Sequence, residues 1–158
     1  MKLVSFPKPY LLFLGDPKAK ADLKTAFGMR DWAGEHCLGQ YSLGGDFGMG
    51  LRAMTPSEAA KAGAGSLIIG VAHGGGAIPP AWWPSLIEAA KAGLDIVSGM
   101  HTKLAAVPGL ADAANDSGVK LHDIRYYDGT IPVGNGMKRE GKRVLMVGTD
   151  VNIGKKYS

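Results

Sequence analysis

The sequence contains a single cysteine, Cys37, so no intrachain disulfide can form, and no metal-ligand spacing surrounds it. A reducing compartment follows, with the cytoplasm as the expected location. Cys37 itself reads as a small buried residue rather than a nucleophile. No apolar run approaches the roughly twenty residues that a membrane helix needs. The run Leu11 to Leu14 is too short for a secretory leader and is broken by Gly15-Asp16-Pro17. No internal repeat or low-complexity segment appears. Charge is also sparse, at 20% of residues and a net +4. The basic residues are scattered except near the C-terminus, where Lys138, Arg139, Lys142 and Arg143 precede Lys155 and Lys156. That cluster suits an anionic small molecule or a solvated linker better than a nucleic-acid groove. Neither nucleic acid nor membrane is an expected partner, and no metal is predicted.

What is present is an ordinary globular composition, 46% hydrophobic over 158 residues, enough for one domain and the beginning of another. Tyr10 to Leu14 reads as a buried strand. Asp16-Pro17 reads as a helix start, with aspartate as N-cap, proline at the first helical position, and Ala19, Leu23, Ala26 and Phe27 on one face. His36 to Leu43 is a weaker strand, followed by the glycine-rich loop Gly44 to Gly50, which is either flexible or close to a ligand or another backbone. Thr55-Pro56-Ser57-Glu58 is a capping box whose helix ends at Gly63. Ser66 to Ala72 is continuously apolar, as in a parallel strand buried on both faces. A helix begins near Pro84, with Leu86, Ile87 and Ala90 toward the sheet, and ends at Gly93-Leu94. The adjacent Trp82 and Trp83 are expected to pack this helix start against the sheet or a partner subunit, with a ligand-stacking platform as the alternative. Asp95 to Ser98 is a strand, Pro108 to Ser117 a helix stopped by Gly118, and Val119 to Ile124 a further strand. Such alternation predicts an α/β, Rossmann-like, open and mostly parallel sheet with helices on both faces. Residues 1–136 form this domain, and 137–158 a linker and the start of a second.

Ligands of open parallel sheets gather outside the carboxyl ends of the strands. The stretches there are Gly15-Asp16, His73-Gly74-Gly75-Gly76, Gly99-Met100-His101, Arg125, and a loop from Gly148. His73 and His101 are candidate general bases, since imidazole exchanges protons near neutral pH. Both also read plainly as loop histidines bonded to backbone. Arg125 suits bidentate recognition of a carboxylate, with Asp123 to orient it, or a surface salt bridge. Gly74 to Gly76 is no dinucleotide fingerprint, because the spacing of its glycines and the acidic residue about twenty positions on are both missing. A nicotinamide enzyme is therefore not expected.

The last sixteen residues, Arg143 to Ser158, pair a short apolar run with a glycine-bracketed loop carrying a lysine. Val144 to Val147 reads as a buried strand, and the loop as a phosphate-binding turn. The usual Gly-x4-Gly-Lys-Ser/Thr is matched imperfectly, with Thr149 in the first position, Gly148 one residue early, and Lys156 where a hydroxyl would hold magnesium. A strand followed by a glycine turn is the plain alternative. The helix that would strengthen such a loop is missing after Ser158, so the chain is expected to be either the front part of a longer protein or to end in a tail with no phosphate role.

These residues together resemble a bacterial and archaeal family long described only as a domain of unknown function. The resemblance runs through Tyr10 to Asp16, Gly70 to Pro80, Ala92 to Leu104, Leu121 to Arg125, and Val147 to Ser158. Members join an N-terminal Rossmann-like domain to a C-terminal P-loop domain. The nearest branch is similar to D-glutamate N-acetyltransferases, which move acetyl from acetyl-CoA to the amine of a D-amino acid in its breakdown. That resemblance implies acetyl-CoA as co-substrate, with its phosphates held by Gly148, Thr149, Asp150, Gly154, Lys155 and a hydroxyl from Ser158. It also implies proton removal by His73 or His101, an oxyanion met by N–H groups of Gly74 to Gly76, and a substrate carboxylate near Asp123 and Arg125. A homo-oligomer is expected.

Two other classes share these residues. Gly148-Thr149-Asp150 to Gly154-Lys155 also resembles the loop of dethiobiotin synthetase, an ATP-dependent ligase, although Lys156 stands where that enzyme's threonine would be. A non-catalytic module that grips a small carboxylate or mediates oligomerisation is the third reading.

Overall fold

The computed structural model describes residues 5–45 and 47–126, together with 134, 136, 137, 140–142, 144 and 147. The chain divides into two units, Met1–Tyr127 and Asp128–Ser158.

The first unit is built on five parallel strands: β1 (Tyr10–Gly15), β2 (Cys37–Ser42), β3 (Ser66–Ile69), β4 (Asp95–Ser98) and β5 (Leu121–Asp123). Their order is β2-β1-β3-β4-β5, and each neighbouring pair is parallel. The helices between them are α1 (Lys24–Ala33), α2 (Pro56–Lys61), α3 (Trp83–Lys91) and α4 (Leu110–Ser117). Right-handed crossovers place α1 on one face, because β1 to β2 steps leftward, and α2, α3 and α4 on the other, because later connections step rightward. Packing agrees, since α3 contacts both α2 and α4. The inner strands are apolar on both faces, as such a sandwich demands: Leu11, Leu12, Phe13 and Leu14 are all fully buried, as are Leu67 and Ile96.

Local signals account for most boundaries. Thr55 Oγ1 accepts the N–H of Glu58 at 3.2 Å, and Glu58 Oε2 accepts the N–H of Thr55 at 2.8 Å, closing the capping box of α2. Helix α3 ends as the sequence predicts. Gly93, at φ +93°, donates to Ala90 and Leu94 to Ala89, which satisfies the last carbonyls and tucks Leu94 into the core. Gly70 must lack a side chain because a Cβ there would lie 2.7 Å from Ala26 Cβ, where α1 sits tightest on the sheet.

Asp16 does not cap a helix at Pro17. Its carboxylate instead accepts the indole N–H of Trp82 at 2.7 Å, and α1 starts only after the 3-10 turn Lys20–Leu23. The N-terminal N–H groups there, of Lys18 and Ala19, are taken by Asp22 Oδ2 at 3.0 and 2.9 Å. A buried tertiary donor outcompetes the local cap, and Ala19, expected to be on the buried face, is exposed. Cys37 is half-buried rather than buried, its thiol directed at Ala33 C=O at 3.5 Å and its pKa raised by burial and by Glu35. Of the glycine-rich loop, Gly45 lies against backbone, where a Cβ would meet Pro17 O at 3.2 Å, and Met49 donates its N–H to the Gln40 side chain at 2.6 Å.

In the second unit, Gly136 and Gly141 take left-handed φ of +70° and +98°. Val144 and Val147, expected to end a buried strand, are 89% and 76% exposed and lie in no strand. Leu145 and Met146, between them, lie outside the described residues. Gly148, Thr149, Asp150, Gly154, Lys155 and Ser158 lie outside the described residues.

Candidate functional site

The strand order reverses between β1 and β3, so the crevice of this fold opens beyond the C-terminal ends of those two strands. A cavity of about 270 Å³ lies there, lined by Asp16, Lys18, Asp22, His73, Gly74 and Trp82 among others. The floor is Trp82, 1% exposed, whose indole stands edge-on to Phe13 (ring centroids 5.5 Å apart) and to His73 (5.9 Å). Gly15 makes this possible. It takes φ +56°, and a Cβ would lie 2.7 Å from Trp82 Cζ2.

Asp16 accepts from Trp82 Nε1 on Oδ1 and from Lys18 Nζ on Oδ2 at 3.1 Å. The Trp82 hydrogen bond, and after it the Lys18 ammonium, hold its carboxyl below the usual aspartate range, so it is an anion at neutral pH.

From His73 the rim runs along the turn Gly74–Gly76 toward β4. Gly76 N–H donates to His73 C=O at 2.8 Å, and His101 N–H donates to Gly76 C=O at 2.7 Å. The turn therefore ties the backbones of the two histidines together. The His101 ring lies directly against Gly76, where a Cβ would meet its Cδ2 at 2.5 Å. Tyr126 donates its hydroxyl to His101 C=O, and the Lys103 ammonium sits 5.0 Å above the Tyr126 ring. Both imidazoles are exposed. With Gly76 N–H committed, the N–H groups of Gly74 and Gly75 are the two that the turn can offer an anion.

Asp123 takes a different role from the orienting one expected. Its carboxylate accepts Leu104 N–H at 3.0 and 3.2 Å and so fixes the loop that follows His101. Arg125 is exposed and, among the described residues, makes no ion pair. It stands on the same rim beyond β5, two strands from β3 and so roughly 10 Å away. The structure thus brings His73, Gly74–Gly76 and His101 together, while Arg125 flanks them. Gly15-Asp16 is expected on this rim from sequence but with no role for the carboxylate, and Lys18 and Trp82 are not among the expected site residues. The signal of Asp16 and Lys18 was a charged pair directly after a buried strand, masked by its likeness to a helix cap.

A larger groove of about 440 Å³ runs between α2 and α3 past Ser57, Glu88 and Lys91. It is open, away from the strand ends, and Ser57 Oγ donates to Glu88 Oε1 at 3.0 Å across it. Among the described residues, no group of three His, Cys, Asp or Glu could hold a metal, and no helix is long and apolar enough to cross a membrane.

Sheet order, crevice and glycine rim define a doubly wound Rossmann-like α/β domain with a crevice at the switch point. Residues 39–127 match the model of a domain of unknown function, DUF1611_N, described as a Rossmann-like domain, and the chain belongs to that family. It is 46% identical over 151 residues to a protein named D-glutamate N-acetyltransferase from Tritonibacter scottomollicae, and 40% identical over 151 residues to one of the same name from Pseudoalteromonas sp. These alignments cover 95% of this chain but 45% and 46% of the relatives, so the chain spans about half their length. The crystal structure of a DUF1611 family protein from Anabaena variabilis shares the fold, with a TM-score of 0.66 at 22% identity, over 82% of this chain and 40% of that one.

Proposed function

We propose that this chain is the acceptor-binding part of an N-acetyltransferase that moves acetyl from acetyl-CoA to the amino group of a D-amino acid, D-glutamate being the substrate. The observation that carries this reading is the 46% and 40% identity, over nearly the whole chain, to proteins named for that activity. The crevice geometry supports it. In the transfer a C–N bond forms between the amine and the acetyl carbon, the C–S bond breaks, and the coenzyme leaves as its thiol. The attacking amine must first give up its ammonium proton, and negative charge builds on the carbonyl oxygen. His73 and His101 supply imidazoles on the rim to take the proton. Gly74 and Gly75 supply backbone N–H groups beside His73 for the oxygen. Arg125 flanks them as the partner of a substrate carboxylate, while Asp123 holds the loop between. The phosphates of the coenzyme are assigned to Gly148, Thr149, Asp150, Gly154, Lys155 and Ser158, and the enzyme works in the cytoplasm as a homo-oligomer.

The test is steady-state acetyl transfer to D-glutamate by the full-length protein carrying His73→Ala or His101→Ala. Loss of about 100-fold or more in kcat in one variant, with the fold intact, names the proton acceptor. If both stay within about threefold of wild type, neither imidazole takes the proton.

A further inference from the structure

The crevice holds charged groups that the reaction as described leaves without a task. Two carboxylates line it, each accepting two hydrogen bonds where a carboxylate can accept about four, and they differ in how replaceable those bonds are. Asp22 Oδ2 accepts the backbone N–H groups of Lys18 and Ala19 and is tied to its own turn. Asp16 accepts one side-chain bond on each oxygen. Of its two partners, only Trp82 is fixed. The Lys18 side chain is 85% exposed, and such a surface pair is weak and easily replaced.

We propose that the Asp16 carboxylate anchors the ammonium group of the amino-acid acceptor, with Lys18 released to meet the acceptor's α-carboxylate. This rests on the amino-acid reading of the site and adds to it the group that recognises the amine. The indole N–H of a fully buried Trp82 holds Asp16 in place before anything binds, so little order is lost on binding. His73 stands on the same wall of the cavity, its ring 5.9 Å from that of Trp82. An ammonium on Asp16 therefore lies beside the His73 imidazole, where its proton can leave. His101, packed against Gly76, is not in this lining. Carboxylate, ammonium and imidazole in one crevice match the charges of a zwitterion.

The experiment compares D-glutamate with glutarate, the same diacid without the amine, by calorimetry on the full-length protein. Wild type should prefer D-glutamate by about tenfold or more, the usual scale for a charge-assisted hydrogen bond. Asp16→Asn should reduce that preference to about twofold or less. Lys18→Ala should weaken both acids alike and leave the preference in place, which separates loss of the anchor from damage to the crevice. The Trp82 indole N–H resonance, identified by its loss in Trp82→Phe, should shift with D-glutamate in wild type and not in Asp16→Asn. Binding of neither acid by wild type overturns the proposal, as does a preference that survives Asp16→Asn. An acetylation assay run in parallel keeps the two readings apart. Acetyl transfer with an undiminished preference in Asp16→Asn refutes the anchor and leaves the reaction standing. Asp16-dependent binding of D-glutamate without acetyl transfer supports the anchor and refutes the reaction.

Discussion

Replacing Gly76 by alanine should move His101 without unfolding the domain, and Gly75 provides an internal control. Both glycines have left-handed backbone, at φ +68° and +67°. An L-residue in that region costs roughly 1–2 kcal/mol, so each variant carries the same backbone strain. What differs is the space around the new methyl group. At Gly75 nothing lies within 4 Å, whereas at Gly76 the Cβ would stand 2.5 and 2.6 Å from His101 Cδ2 and Cγ. The His101 backbone is held by its N–H on Gly76 C=O, and its ring is exposed, so the ring should swing rather than the loop. Forcing it off its rotamer adds about 0.5–1.5 kcal/mol. At about 2–4 °C per kcal/mol for a chain of this size, Gly75→Ala should melt about 2–8 °C below wild type, and Gly76→Ala at most about 6 °C lower again. Thermal unfolding measures the first part, and the NMR signal of the His101 ring measures the second. Only Gly76→Ala should shift that signal. A shift of equal size in Gly75→Ala, or none in Gly76→Ala, would refute the packing described for the turn. If His101 rather than His73 takes the proton, kcat should follow the ring.

Asp16 gives a pH dependence with a defined sign. Its folded pKa is depressed, chiefly by the Trp82 hydrogen bond, so its stabilisation is complete above the unfolded value of about 3.9 and is lost as pH falls through the folded value. Melting temperature followed downward from about pH 5 should therefore drop less steeply in Asp16→Asn than in wild type. Thr55→Ala removes the cap of α2 and should cost about 1 kcal/mol in urea unfolding, while Thr55→Ser should restore most of it. Leu86→Ala empties a fully buried site on α3 and should cost about 2–5 kcal/mol by the same measurement.

Elements set by local chemistry were legible in the sequence. The capping box at Thr55 and the Gly93-Leu94 stop each contain their own partners within a few residues, and the apolar run at Ser66 is long enough to declare a buried strand. Features set by distant partners were not. Asp16 looks like a helix cap because its rival donor, the Trp82 indole, lies 66 residues further on. Asp123 looks free to orient Arg125, but Leu104 N–H reaches it from the neighbouring connection. Strand order cannot be read from alternation alone, and with it goes the position of the crevice. His73 and the glycine turn could be placed at a strand end, yet their union with Asp16 and Lys18 depended on knowing that β1 lies beside β3. Val144 and Val147 have the apolar character of buried strand residues, yet both are exposed, and apolar character by itself does not say what covers a residue.

Mass spectrometry of the full-length protein incubated with acetyl-CoA and D-glutamate, in the absence of ATP, is the decisive measurement. N-acetyl-D-glutamate and free coenzyme A should accumulate one for one, and L-glutamate should be a poorer acceptor. Absence of that product, or its formation only with ATP and magnesium, would contradict an acetyl transfer at this crevice and favour a nucleotide-dependent ligation.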